Sequence, residues 1–310
     1  MQLYDQFVIN PDRFRGPHYN ISPFSTQWVS KNYRILQSNL AVDEELIHRY
    51  FGRHVFFENG RSALYNALST YNLSKEDEVY IVTSSGNKYI SGCVTGEIEK
   101  ICNWSRQLSD KTKLVLVNHE FGVAYKRMDE ILNLNLPIIE DKAMSLFSTD
   151  DNQKTGAYGD FTIYSLSKFF PVQFGGVLQI NTGRYSVNQF KTNSKITDIL
   201  GKWTSFYLED AGQMKQKRKD NHAQFQAELS PLGFESRFVY PETEIPSVYM
   251  CATSSNVDLD GLKVFLQQNG VEASIFYGEN AFFVPVHQNL TTEDILFITS
   301  LIKYYFYESK

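Results

Sequence analysis

The chain has 310 residues, 42% hydrophobic and 21% charged, a balance that excludes a largely disordered protein and leaves room for two domains. Acids outnumber bases 35 to 30, for a formal charge of −5, which excludes the basic footprint of a nucleic-acid binder. No apolar run reaches the roughly 20 residues of a membrane span, and Met1-Gln2-Leu3-Tyr4-Asp5 lacks the pattern of a signal peptide, so a cytoplasmic protein without a membrane partner is expected.

In chain order, short apolar runs alternate with amphipathic segments from about residue 55 to residue 180. The runs are Val55-Phe56-Phe57, Val79 to Val82, Leu114 to Val117, Pro137-Ile138-Ile139, Phe161 to Tyr164 and Gly176 to Ile180. Between them, Ser62 to Tyr71 and Met128 to Leu134 have helical patterning. This alternation predicts an α/β domain on a mostly parallel sheet. A long helical region is expected over residues 198–229, with Lys215, Lys217, Arg218 and Lys219 as a solvated basic face. Beyond Pro231-Leu232-Gly233 the pattern becomes strand (Ser247 to Ala252), helix (Leu259 to Gln268), strand (Ala281 to Val284) and helix (Thr292 to Tyr307), a small α+β domain. The expected division is a large domain with an N-terminal arm over 1–190, and the long helix with the small domain over 191–310. Cys93, Cys102 and Cys251 have no metal-ligand spacing, and their odd number argues against a disulfide framework. An aromatic content of 15% predicts an aromatic core or a subunit interface.

Ligands of open α/β sheets sit beyond the carboxyl ends of the strands. The residues that follow the predicted strands are Asn59-Gly60-Arg61-Ser62, Thr83 to Gly86, Asn118-His119, Glu140-Asp141 and Ser165-Leu166-Ser167-Lys168. The glycine turn before Ala63 to Leu68 would offer free amides and a positive helix end to a phosphate, as any helix N-terminus does. Asp141 could instead be a cap, His119 a buried histidine satisfied by backbone, and Lys168 a surface lysine. Together, an acid from one strand and an amine from the next are what pyridoxal phosphate (PLP) chemistry needs: the acid faces the pyridine nitrogen and the amine holds the aldehyde.

The same residues carry a family resemblance. Asn59-Gly60-Arg61-Ser62-Ala63-Leu64, Val117-Asn118-His119-Glu120-Phe121-Gly122, Pro137 to Ala143, Gly156 to Lys168 with Gly175-Gly176-Val177, and Phe283-Val284-Pro285-Val286-His287 resemble the motifs of the DegT/DnrJ/EryC1/StrS sugar aminotransferases. These are fold-type I PLP-dependent enzymes, with a mostly parallel seven-stranded sheet in the large domain. The resemblance implies Lys168 as the cofactor lysine and Asp141 as the acid at the pyridine nitrogen. It also implies Gly60, Arg61 and Ser62, with Ser165 or Ser167, at the phosphate, and His119 in a supporting place. Met144 stands where the family has His or Gln against the ring, and Tyr89 is the candidate to stack on it. The "TTGEGG" run after the lysine is replaced by Phe170 to Gly176, and the chain is shorter than typical members. The implied function is amino transfer from glutamate to a keto-sugar, most simply nucleotide-linked, for surface polysaccharide such as lipopolysaccharide or another glycoconjugate. Elimination, decarboxylation or a non-catalytic binding role on the same scaffold are the alternatives. A homodimer is expected, with residues 184–202 or the first 40 reaching the partner's site.

Overall fold

The computed structural model describes residues 18–254 and 257–308. Seven strands form the central sheet: β1 (His54–Phe57), β2 (Glu78–Thr83), β3 (Asn103–Ser105), β4 (Thr112–Asn118), β5 (Ile138–Asp141), β6 (Phe161–Ser165) and β7 (Gly176–Ile180), in the order β1-β7-β6-β5-β4-β2-β3. Strands β3, β2, β4, β5 and β6 run parallel, and β7 is antiparallel to both of its neighbours. The short edge strand β3 has no apolar run to announce it.

The pleat explains why the central strands read as unbroken apolar runs. Leu114 and Leu116 pack on one side of the sheet with Ala63, Leu64, Ala67 and Leu68 of helix α3 (Gly60–Leu68). Val115 and Val117 face the other side, against Met128 and Ile131 of α5 (Met128–Leu132), the helix that follows α4 (Gly92–Ile98) in the chain. Helices α1 (Val29–Gln37) and α2 (Glu44–Phe51) were not expected from the sequence. They place Ile35, Ile47 and Phe51 in one cluster with Leu200, Trp203 and Tyr207.

The region expected as one long helix is two, α6 (Ser194–Glu209) and α7 (Ala211–Leu229), joined at Asp210, whose φ of −93° and ψ of 10° leave the helical range. The basic face of α7 also needs correction. Lys215, Lys217 and Lys219 are half-buried, but Arg218 is fully buried, because the helix sets it against the small domain and the turn after β6. That domain has an antiparallel sheet of β8 (Phe234–Ser236), β9 (Val248–Thr253), β10 (Ser274–Ile275) and β11 (Ala281–Pro285), ordered β10-β11-β9-β8. Helices α8 (Leu259–Gln268) and α9 (Thr292–Glu308) complete it. Among the described residues no helix is long and apolar enough to cross a membrane, and no group of three or more His, Cys, Asp or Glu residues is arranged to hold a metal ion. The three cysteines are free, with Cys102 and Cys251 buried and Cys93 exposed.

Candidate active site

The carboxyl ends of the strands bring the candidate residues to one edge. Thr83, Asn118 and Asp141 are in register across β2, β4 and β5. Ser165, Gly176 and Phe57 are in register across β6, β7 and β1. A chain leaving β1 therefore enters α3 beside the end of β6. Gly176 makes this approach possible, since a Cβ there would lie 2.2 Å from the Asn59 carbonyl carbon and 2.6 Å from the Gly60 nitrogen. Gly60 in turn lies against β6, its Cβ position 3.6 Å from Ser165 Cβ. Gly176→Ala should push the Asn59-Gly60 turn off the sheet edge and cost about 1–3 kcal/mol, read as a lower urea midpoint at unchanged slope.

Asn59 caps α3, its Oδ1 accepting the Ser62 amide at 2.9 Å. The Gly60 and Arg61 amides point out of the first turn with no helical carbonyl to bond, so an anion would find two donors and the positive end of the helix. Arg61 and Ser62 also line a cavity of about 660 Å³ with Lys100 and Lys191. Neither Asp141 nor Lys168 lines that cavity.

Glu140 and Asp141 are adjacent in β5 and face opposite ways. Glu140 is fully buried and accepts hydrogen bonds from the amides of Gly156 (2.7 Å), Tyr158 (2.7 Å) and Gly159 (3.0 Å), with His119 Nε2 at 3.1 Å. Burial opposes its charge, but the His119 contact and the Gly156 and Gly159 amides outweigh it and hold the carboxyl below its ordinary range. His119 Nδ1 accepts the Tyr125 amide at 3.0 Å, so Nε2 carries the proton that goes to Glu140. Both ring nitrogens are therefore engaged within the protein. The backbone of His119 donates to the Asp141 carbonyl at 3.0 Å, which locks β4 to the end of β5.

Asp141 is also buried, 6% exposed, but its side chain accepts only the Ala143 amide, at 2.9 Å. Burial pushes its pKa up, and the Ala143 amide, Lys168 and His119 offset only part of this. Lys168 is half-buried at the end of the 3-10 turn Leu166–Lys168. Burial pushes its amine below the usual lysine range, against the charges of Asp141 first, then Cys93 and Glu272. The edge thus holds a carboxylate short of donors beside an amine biased toward its neutral, nucleophilic form. A pyridine nitrogen with its proton supplies the donor that Asp141 lacks, an aldehyde suits the amine, and the open amides of α3 suit a phosphate. The residues present fit PLP.

Tyr89 and Met144 are both partly buried against one apolar cluster, with Phe121 from the large domain and Phe276 and Phe283 from the small one. The Tyr89 ring lies 5.6 Å from that of Phe276 and 6.4 Å from that of Tyr277, so it stands where the two domains meet. Ser165 is buried and Ser167 half-buried; the Ser167 carbonyl accepts Ser22 Oγ at 2.6 Å. Cys93 and Glu272, the other groups within electrostatic reach of Lys168, were not singled out in the sequence. Neither sits at the end of an apolar run, and Glu272 arrives from the small domain, where its carboxylate accepts the Ile21 amide at 2.7 Å.

A second buried lysine, Lys142, lies beside this site. Its Nζ donates to the Thr155 carbonyl at 3.0 Å and sits 5.5 Å over the Tyr164 ring. Burial pulls its pKa down to about 8, with Glu140 and Asp150 opposing. The unfolded chain then binds more protons than the folded one between pH 8 and the ordinary lysine value, so this group favours folding increasingly as pH rises through that window. Lys142→Met should remove the effect. The unfolding free energy of the wild type relative to the variant should rise by roughly 3 kcal/mol between pH 7 and pH 10.5, measured by urea titration.

The fold is the one shared by solved PLP-dependent aminotransferases of fold type I. Residues 101–173, the stretch that carries both Asp141 and Lys168, match the model of the DegT/DnrJ/EryC1/StrS aminotransferase family. Among solved structures, the aminotransferase TlmJ from Streptoalloteichus hindustanus is similar with a TM-score of 0.73 at 15% identity, over 94% of this chain and 100% of that one. Spr1654 from Streptococcus pneumoniae, in its PLP form, is similar with a TM-score of 0.70 at 14% identity, over 93% and 97%. The Escherichia coli GDP-4-keto-6-deoxy-D-mannose-3-dehydratase, solved with bound hydrated PLP, is similar with a TM-score of 0.68 at 14% identity, over 92% and 99%. No curated protein matches the chain by sequence.

Proposed function

We propose that the protein transfers an amino group from glutamate to a keto-sugar, most simply a nucleotide-linked one, in the cytoplasmic synthesis of surface polysaccharide or another glycoconjugate. The observation that carries this reading is that Asp141 and Lys168 stand at one sheet edge within electrostatic reach of each other, where the open amides of α3 begin. When bound, PLP supplies an electron sink for the carbon that loses its proton. Lys168 would hold the aldehyde, and Gly60, Arg61 and Ser62, with Ser165 or Ser167, would hold the phosphate. Tyr89 and Met144 would flank the ring.

Asp141, ionised, would keep a proton on the ring nitrogen. His119 acts from behind, fixing β4 to β5 so that this carboxylate keeps its place. Lys168 Nζ would take the proton from the amine-bearing carbon of the substrate and return it in the reverse half. Its lowered pKa serves that role, because a neutral amine can accept the proton without first shedding one. The similarity to a dehydratase makes the lysine decisive, since the family resemblance places histidine at this position in the sugar dehydratases. The test is an absorbance spectrum of the PLP-loaded protein before and after glutamate. The visible band should be lost with glutamate and restored by a keto-sugar acceptor. A band unmoved by glutamate overturns the donor assignment.

The same reading includes a two-fold homodimer, supported by exposed aromatics such as Tyr33, Tyr304 and Tyr307. Of the segments expected to reach a partner, residues 1–17 lie outside the described residues, while Arg184 pairs with Asp160 of its own chain at 2.5 Å. Light scattering should give twice the chain mass of 35.8 kDa. A monomer at micromolar concentration with the glutamate reaction intact would overturn a shared site.

A further inference from the structure

Arg218 is the largest fully buried side chain of the molecule's described part, and its place is next to the lysine turn. Its Nη2 donates to the Lys168 carbonyl at 3.1 Å, its Nε to Gln288 Oε1 at 2.9 Å, and its Nη1 reaches the Pro246 carbonyl at 3.4 Å. Gln288 Nε2 donates to the Phe169 carbonyl at 2.7 Å. The guanidinium, the amide of Gln288 and the two successive carbonyls therefore close a ring of hydrogen bonds, with the guanidinium 4.7 Å over the Phe169 ring.

The carbonyls at the end of a 3-10 turn have no helical donor ahead of them, so something else must satisfy them. Here Lys168 and Phe169 are served by side chains 50 and 119 residues away in sequence. Arg218 comes from α7 and Gln288 from the segment after β11, so the ring joins the turn to the small domain. The neighbouring contact Asn221 Nδ2 to the His287 carbonyl, at 2.9 Å, holds that segment on α7. His287 is buried, and burial together with Arg218 lowers its pKa to about 3, which leaves it neutral and adds no charge to compete for the guanidinium. A charged group buried among carbonyls costs desolvation energy that a well-packed apolar side chain would avoid, so its worth lies in geometry more than in stability.

We propose that Arg218, acting with Gln288, is the positioning residue for Lys168, fixing the backbone of the turn and making the place of the amine depend on docking of the small domain. This rests on reading Lys168 as the cofactor lysine, but its first test does not need the cofactor. In cofactor-free protein, hydrogen exchange should rise about tenfold or more in residues 166–171 and 286–289 of Arg218→Met and Gln288→Leu, with the β4 and β6 amides unchanged. The double variant should be no worse than the worse single one, because both cut the same link. In PLP-loaded protein, borohydride should still fix the cofactor to Lys168, while kcat falls about a hundredfold and KM changes little. Arg218→Lys, which keeps the charge and loses the fork, should recover only part of kcat.

Exchange that rises equally across the whole sheet, effects of the two substitutions that multiply, or full recovery by lysine would each overturn the proposal. Gln288→Leu keeps it open to refutation should Arg218→Met fail to fold. If PLP never attaches to Lys168, the functional reading fails, and the exchange pattern still decides whether Arg218 sets the turn.

Discussion

Lys168→Ala should abolish amino transfer, with a loss of at least about a thousandfold, while the protein stays folded. Borohydride treatment of the PLP-loaded wild type should leave the cofactor covalently on Lys168, and the variant should carry no label. The informative competitor is Lys142, because it too is buried and has a pKa pulled down to about 8. A low pKa alone would not separate the two amines. Their neighbours do: Lys142 donates to the Thr155 carbonyl and lies over the Tyr164 ring, whereas the foremost charge acting on Lys168 is that of Asp141. Label on Lys142, or on the exposed Lys88, would remove Lys168 from its role. The thermal midpoint of Lys168→Ala should move little, since losing a desolvated amine offsets losing the charge opposite Asp141.

Asp141→Asn should lower turnover by roughly a hundredfold to a thousandfold while some PLP remains bound through Lys168 and the α3 amides. The variant should also separate function from stability. The folded pKa of Asp141 is raised, so the folded chain holds its proton more tightly than the unfolded one. Below the ordinary aspartate pKa both states are protonated and the group contributes no difference. As pH rises through the ordinary value the unfolded chain ionises first and the folded chain loses relative stability, a cost that is complete once pH has passed the raised folded value. Cofactor-free Asp141→Asn should therefore be the more stable protein at neutral pH, with the gain vanishing near pH 3, as measured by urea unfolding. Bound PLP should reverse the order, because its ring nitrogen gives the carboxylate its missing partner. Near-normal turnover in Asp141→Ala would show that another acid faces the ring.

Some elements were plain in the sequence for simple reasons. β4 and β7 are apolar on both faces, and α8 begins and ends where its pattern does, Leu259–Gln268. The edge strand β3 escaped because it is three residues long and has no apolar run, whereas the short helices α1 and α2 each carry an apolar stripe, ending in Ile35 and in Ile47 and Phe51, that was legible in the sequence although neither helix was expected from it. The split of residues 198–229 at Asp210 escaped because a single departure in backbone angle leaves the composition on either side helical.

By itself the sequence determined where six of the seven strands lie along the chain and which chemical groups follow them, since a buried strand must be an apolar run and a parallel sheet puts the carboxyl ends on one edge. Burial and partnership were decided only in three dimensions. Glu140 and Asp141 are neighbours with the same charge, yet one is saturated by amides and the other is left short of donors. Arg218 reads as one more cation in a solvated run, yet it is the one that the fold removes from water and sets against the Lys168 turn. Periodicity reports which face of an element is apolar. What a polar side chain meets depends on elements far away in the chain, and so on tertiary structure alone.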